Sequence, residues 1–158
     1  MCAQSASPLR RREPYVWQGM SVNAASAVSN VSDPVDPPVS CHMCGAPVEL
    51  VDKAKFYGGR SFGWPLAYEC TSCKARVGCH PGTDIPLGSL ADRQTTAARS
   101  ALHAVFDPIW QGKGRDARRR AYDSLARALD LEAAHISWLN AAQCHEAIRI
   151  IQSGRLSC

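Results

Sequence analysis

Four cysteines carry the strongest chemical signal in this chain. Cys41 and Cys44 form one C-x2-C pair, and Cys70 and Cys73 form a second pair 25 residues later. Zinc takes four ligands in a tetrahedron, and thiolates are its favoured structural ligands. A C-x2-C turn brings two sulfurs close enough to share one ion, and Gly45 suits the turn after the first pair. Two such turns close the shell, leaving no open position for water. The spacing therefore predicts one structural Zn2+ held by Cys41, Cys44, Cys70 and Cys73. Two disulfides would require an oxidising compartment. A redox C-x2-C would require a strand–helix context that this stretch lacks. Cys79 and His80 follow closely and read as a strand end just outside the site. Cys144 falls on the apolar face of a helix and reads as core.

Between the pairs lies "KAKFYGGRSFGW", with three cations, four aromatics and three glycines in twelve residues. Lys53, Lys55 and Arg60 can meet phosphates, while Phe56, Tyr57, Phe62 and Trp64 can stack on bases. The competing reading is packing, with two of the four rings buried against the C-terminal helices. A second cationic run, "KGRDARRR" (113–120), holds five cations and one acid. Arg118, Arg119 and Arg120 belong to it. A solvated helix face is the plain reading and phosphate contact the sharper one. Cations at a helix start oppose its dipole, which favours a functional reason for them. Together the two stretches predict a nucleic-acid site on one side of the molecule, with single strands preferred.

Charge permits such a partner without demanding it. The net charge is +4, distributed as 0 over 1–40, +2 over 41–80 and +2 over 81–158. No segment is basic enough that phosphate binding must follow. A protein partner, such as a host factor, is the rival reading. A metal-dependent enzyme is a second alternative: His80 and Asp84 are four apart, as are His103 and Asp107, and such pairs can hold a catalytic metal. Their spacing does not say that they meet. No nucleophile motif or Walker-type phosphate loop occurs. No run approaches the roughly 18 apolar residues of a membrane span. The N-terminus lacks a signal-peptide core. Both features predict a cytoplasmic protein, where paired cysteines point to metal.

The elements that must position these residues fall into three stretches. Residues 1–40 are rich in Ser, Asn, Asp and Pro without a usable period and read as a disordered tail. Met20 reads as a plausible start, so residues 1–19 can come from an over-extended gene start. Residues 41–80 read as a zinc ribbon of about three short strands, "PVELV", "PLAYE" and "ARVGCH". Residues 81–152 read as about three helices packed on the ribbon as one domain. The first carries Ala91, Ala98, Ala101, Leu102, Val105 and Phe106 on one face and is predicted to end near Asp107, before Pro108. The second spans about 116–129, with Ala121, Tyr122, Leu125, Ala128 and Leu129 on one side. The third starts after Asn140, with Gln143 completing a capping box, and turns Cys144, Ala147, Ile148 and Ile151 inward. The fold class is α+β.

The stretches "CHMCGAPVELVD", "YECTSCKARVGCHPGTDIPLGSLAD", "ARSALHAVFDPIW", "RRRAYDSLARAL" and "HISWLNAAQCHEAIRII" resemble the zinc-finger-containing domain family, common in phages and prophages and of unknown function. The likeness covers roughly 41–151 and is most specific at "HPGTDIPLG" and "FDPIW". It implies zinc at the same four cysteines and a virus-derived protein made inside a bacterium, and it implies no reaction. The position of Cys79 is often Thr in that family, so a fifth thiol near the metal is a departure. The loop "HPGTDIPLG" (80–88), with two prolines and two glycines, reads either as a linker or as a binding surface, with Thr83 or Asp84 capping its turns.

Overall fold

The computed structural model describes residues 12–60 and 62–156. The fold is α+β. Backbone contacts divide the chain into two compact units, one comprising residues up to 72 together with 77–87, the other 73–76 together with 88 onward.

The first unit opens with a hairpin. Strands β1 (Tyr15–Trp17) and β2 (Met20–Val22) pair antiparallel, with Trp17 opposite Met20. Gln18 and Gly19 make the two-residue turn, both at positive φ (47° and 81°), which matches the twist of the flanking strands. A helical turn, α1 (Ala25–Ser29), follows. The expectation of a disordered tail is thus corrected for 15–29. Residues 1–11 lie outside the described residues. The hairpin gains what a tail would lack: Val22 is fully buried, and the Asn23 amide donates to the Gly82 carbonyl at 2.8 Å.

The ribbon contains the three expected strands, β3 (Val48–Asp52), β4 (Leu66–Cys70) and β5 (Arg76–Gly78), in the order β3-β4-β5. β3 and β4 are antiparallel, with Val48 opposite Cys70 and Asp52 opposite Leu66. β4 is central and buried along its whole length. The buried carboxylate of Glu69 is matched by the Lys55 ammonium at 2.9 Å, as burial of a charge requires.

The stretch 80–87 contributes to this unit's core. Thr83, Ile85 and Pro86 are almost fully buried. The Thr83 hydroxyl donates to the His80 carbonyl (3.0 Å) and accepts from the Ile85 amide (3.1 Å), so Thr83 fixes the turn through its side chain. Gly82 sits at φ +77°, and a Cβ there would stand 2.8 Å from that of Ala27.

The second unit is helical. α2 (Arg93–Trp110) is capped by Asp92, whose carboxylate accepts from the Thr95 amide at 2.7 Å. It does not stop at Asp107. Pro108 lies inside its last turn, and the Gln111 amide still bonds to the Asp107 carbonyl at 3.0 Å. Proline removes one ladder bond, but continuing the helix packs Ile109 and Trp110 against the core. α3 (Arg115–Ala128) and α4 (Ala141–Gln152) lie close to their expected positions, separated by a 3-10 turn, Ile136–Trp138. The core comprises Leu102 and Phe106 of α2, Ala121 and Leu125 of α3, Ile136, Leu139, and Cys144 and Ala147 of α4. Ala101 and Ala128, expected inward, face solvent, while Ala117 and Ser124 are buried. Ala91 precedes α2 and bridges to Arg76.

One packing residue gave no sequence signal. Half-buried Arg99 donates to the Leu139 carbonyl (2.9 Å), the Ser89 carbonyl (3.1 Å) and the Ser89 hydroxyl (2.7 Å). It thereby ties two irregular segments to α2. Beside it, Gly88 lies so close to the Ser137 carbonyl that no Cβ fits.

Candidate metal centre

Each cysteine pair sits on a knuckle of backbone. In the first, the Gly45 amide bonds to the Cys41 carbonyl (2.7 Å) and the Cys41 amide to the Ala46 carbonyl (2.8 Å). Gly45 takes φ +78°, which only glycine adopts freely. Cys70 closes β4 and Cys73 lies in the turn after it, where Lys74 takes a positive φ of 62°. The Thr71 amide and hydroxyl both donate to the Pro47 carbonyl at 3.0 Å, fastening the second knuckle beside the start of β3.

The four sulfurs all lie within 4.8 Å of one another, and those of Cys44 and Cys70 are 3.4 Å apart. A zinc–thiolate bond of about 2.3 Å gives a tetrahedron with sulfur–sulfur edges of about 3.8 Å. The cluster therefore has the right size for a bound ion and is much too open for S–S bonds of about 2.05 Å. Cys41 and Cys70 are buried while Cys44 and Cys73 are exposed. Among the described residues, this is the group of three or more His, Cys, Asp or Glu side chains positioned to hold a metal ion.

Cys79 stands outside that group. It is buried, and burial, with the nearby Asp84 carboxylate adding to it, pushes its thiol up to about 12. A protonated thiol is a poor ligand and a poor nucleophile. The His80 side chain is held below its ordinary value by burial. Cys144 is fully buried in the helical core, as its spacing predicted.

Asp84 belongs to a different constellation. Arg12 forms an ion pair with its carboxylate, and the Tyr15 hydroxyl donates to it at 3.3 Å. Its amide donates to the Asn23 side chain at 3.1 Å, and its carbonyl accepts from the Tyr68 hydroxyl at 2.9 Å. Burial and this carboxylate raise the Tyr15 phenol to about 12. The carboxylate thus anchors the hairpin to loop 80–88. Within the other His/Asp pair, a His103 ring nitrogen lies 3.2 Å from the Asp107 carboxylate oxygens along the exposed face of α2.

The cationic excursion between the knuckles has a defined shape. Lys53–Phe56 form a 3-10 turn, capped by Asp52, whose carboxylate accepts from the Ala54 amide at 2.7 Å. Of its four aromatics none is fully buried, contrary to the packing expectation, because residues of β4 and loop 80–88 fill this unit's core. Trp64 is half-buried and donates its indole N–H to the Thr83 carbonyl at 2.7 Å. Phe56 is half-buried, with the Lys55 ammonium 5.4 Å from its ring centre. Tyr57 and Phe62 remain 53% and 60% exposed and meet edge to face at 5.4 Å. Arg60 beside them is exposed.

In the helical unit Arg118, Arg119 and Arg120 are exposed on α3. The Arg118 guanidinium covers the Trp110 and Tyr122 rings at 5.3 and 5.0 Å. Arg119 pairs with Asp116 at 3.2 Å.

Among curated proteins and solved structures none matches this chain. A family model described as a zinc-finger-containing domain matches residues 37–154, which include both knuckles and all three long helices. The hairpin and α1 precede the matched stretch. The four-thiolate cluster and this match over most of the length agree: the chain belongs to the zinc-finger-containing domain family.

Proposed function

We propose that this is a non-enzymatic, cytoplasmic zinc protein of phage or prophage origin that binds single-stranded nucleic acid. In this reading one zinc ion per chain, bound by Cys41, Cys44, Cys70 and Cys73, plays a structural part. A shell closed by four thiolates leaves no position for a substrate. The observation that carries the nucleic-acid reading is the exposed Tyr57–Phe62 pair, set among Lys53, Lys55 and Arg60 on a turn whose ends are fixed by the ribbon. Two large rings left in water have a reason if bases stack on them. Stacking contributes about 1–3 kcal/mol per base and tolerates any sequence. Lys53 and Arg60 would meet phosphates, Lys55 doing so only in competition with its Glu69 partner, and Arg118–Arg120 would supply a second set on α3.

The rival is a protein-interaction module acting on a host factor. It is favoured by other exposed apolar side chains of the first unit, Val39 at 83%, Met43 at 42% and Leu87 at 44%.

Titration of a labelled single strand at increasing salt separates the two. Phosphate contacts release counterions, so affinity should fall steeply with salt, and the double change Tyr57→Ala, Phe62→Ala should weaken binding at least tenfold. No detectable binding at low salt, with zinc retained, would move the assignment to the protein partner.

A further inference from the structure

A pocket of about 410 Å3 opens beside the first half of α3, within the range of about 300–1,000 Å3 usual for small-molecule sites. We propose that it binds a single phosphorylated nucleotide whose base carries an exocyclic amino group, either free or as one residue of a strand. This rests on the nucleic-acid reading above and deepens its second set of cations, while sharing none of the ribbon residues.

Arg115, Arg118 and Arg119 line the pocket at i, i+3 and i+4 and so project from one side of α3. Three like charges so spaced repel, and at a helix start they also oppose the dipole. Asp116 offsets part of this through an exposed pair with Arg119, and Asp123 and Glu132 in the pocket offset more. A bound phosphate would answer both costs, and arginine forks suit its oxygens.

A bare anion does not fit the rest of the lining. Asp123 and Glu132 share the pocket, and their charges would weaken binding of phosphate alone. A nucleotide differs in being two-ended. Carboxylates accept from the amino group of a base, as they do from cytosine N4. Planar surfaces for the ring are present as well. The Arg118 guanidinium lies 5.3 and 5.0 Å from the centres of the Trp110 and Tyr122 rings. His135 lies against Trp138, with ring centres 4.1 Å apart and planes tilted by 56°. Guanidinium and imidazole planes both stack on bases.

The test titrates the full chain by calorimetry with CMP, UMP, cytidine and inorganic phosphate, and with short oligocytidine and oligouridine strands. CMP should bind at least tenfold more tightly than cytidine or phosphate and several-fold more tightly than UMP. The double variant Arg115→Ala, Arg119→Ala should lose at least tenfold, with helicity and zinc content unchanged. Glu132→Gln should erase the preference for CMP over UMP. Tyr57→Ala should weaken the strands and leave CMP alone. If only the strands respond to the double variant, the source is a strand residue rather than a free nucleotide. If neither CMP nor any strand responds to it, the pocket assignment is overturned, while loss of strand affinity in Tyr57→Ala would keep the ribbon reading. Equal binding of CMP and UMP that Glu132→Gln leaves unaltered would also overturn it.

Discussion

At the residue scale the thiols among the described residues fall into two chemical kinds. Those of Cys41, Cys44, Cys70 and Cys73 converge within 4.8 Å, while Cys79 and Cys144 are buried singly. Alkylation at neutral pH should therefore gain four modified sites when a chelator is added, mapped by mass to the four clustered cysteines. Appearance of Cys79 among the early sites would contradict its burial. The same thiol sets an alkaline limit. Burial raises Cys79 from 9.0 to about 12 and Tyr15 from 10.0 to about 12. A raised folded value stabilises fully below the unfolded value and is lost as pH rises through the folded one. Thermal stability of the zinc-bound protein should thus decline from about pH 9 towards 12, and Cys79→Ala should flatten the part between about 9 and 10. An unchanged slope in the variant would place the loss elsewhere. The cysteine cluster was legible in sequence because spacing alone dictates it. The anchoring of Asp84 by Arg12 and Tyr15 was not, because those partners lie about seventy residues away with nothing local to announce them.

At the element scale, sequence succeeded where the cause is local and failed where tertiary packing decides. Asn140 and Gln143 announce their own cap: each side chain accepts from the other's amide, at 2.8 and 2.9 Å. Asn140→Ala should cost about 1 kcal/mol of stability, measured by denaturant titration. Gln143→Ala should cost less, since the Asn140 cap survives. Equal effects would mean the box acts as one unit. Pro108 misled because its local preference against helix is real, yet burial of Ile109 and Trp110 outweighs one lost ladder bond. The β1–β2 hairpin was legible in principle. "YVWQGMSV" alternates β-formers about a two-residue Gln18-Gly19 turn. The Ser- and Pro-rich stretch after it masked that signal, and reading Met20 as a start cut the hairpin in two.

At the scale of the whole molecule the strands and the long helices draw their stability from different sources. The three-stranded sheet has short strands, with β5 only three residues long, and its buried surface is concentrated on β4. A four-thiolate zinc site contributes on the order of 10 kcal/mol to folding, and the sheet carries both knuckles that would form it. The helical unit instead has a contiguous apolar core around Leu102, Phe106, Leu125, Ile136 and Ala147, with two capped helix starts and the Arg99 bridge. None of these contacts passes through a cysteine of the cluster. Removal of metal should therefore act unequally. On chelation, amide exchange in β3 and β4 should accelerate by orders of magnitude, while the central turns of α2 and α4 keep most of their protection. Hydrogen exchange read by mass spectrometry, before and after chelation, checks this peptide by peptide. Cys70→Ser in the absence of chelator should reproduce the same pattern, since losing one thiolate opens the shell. Uniform acceleration across the strands and all three long helices would mean that the units unfold as one and that the helical core depends on the metal after all.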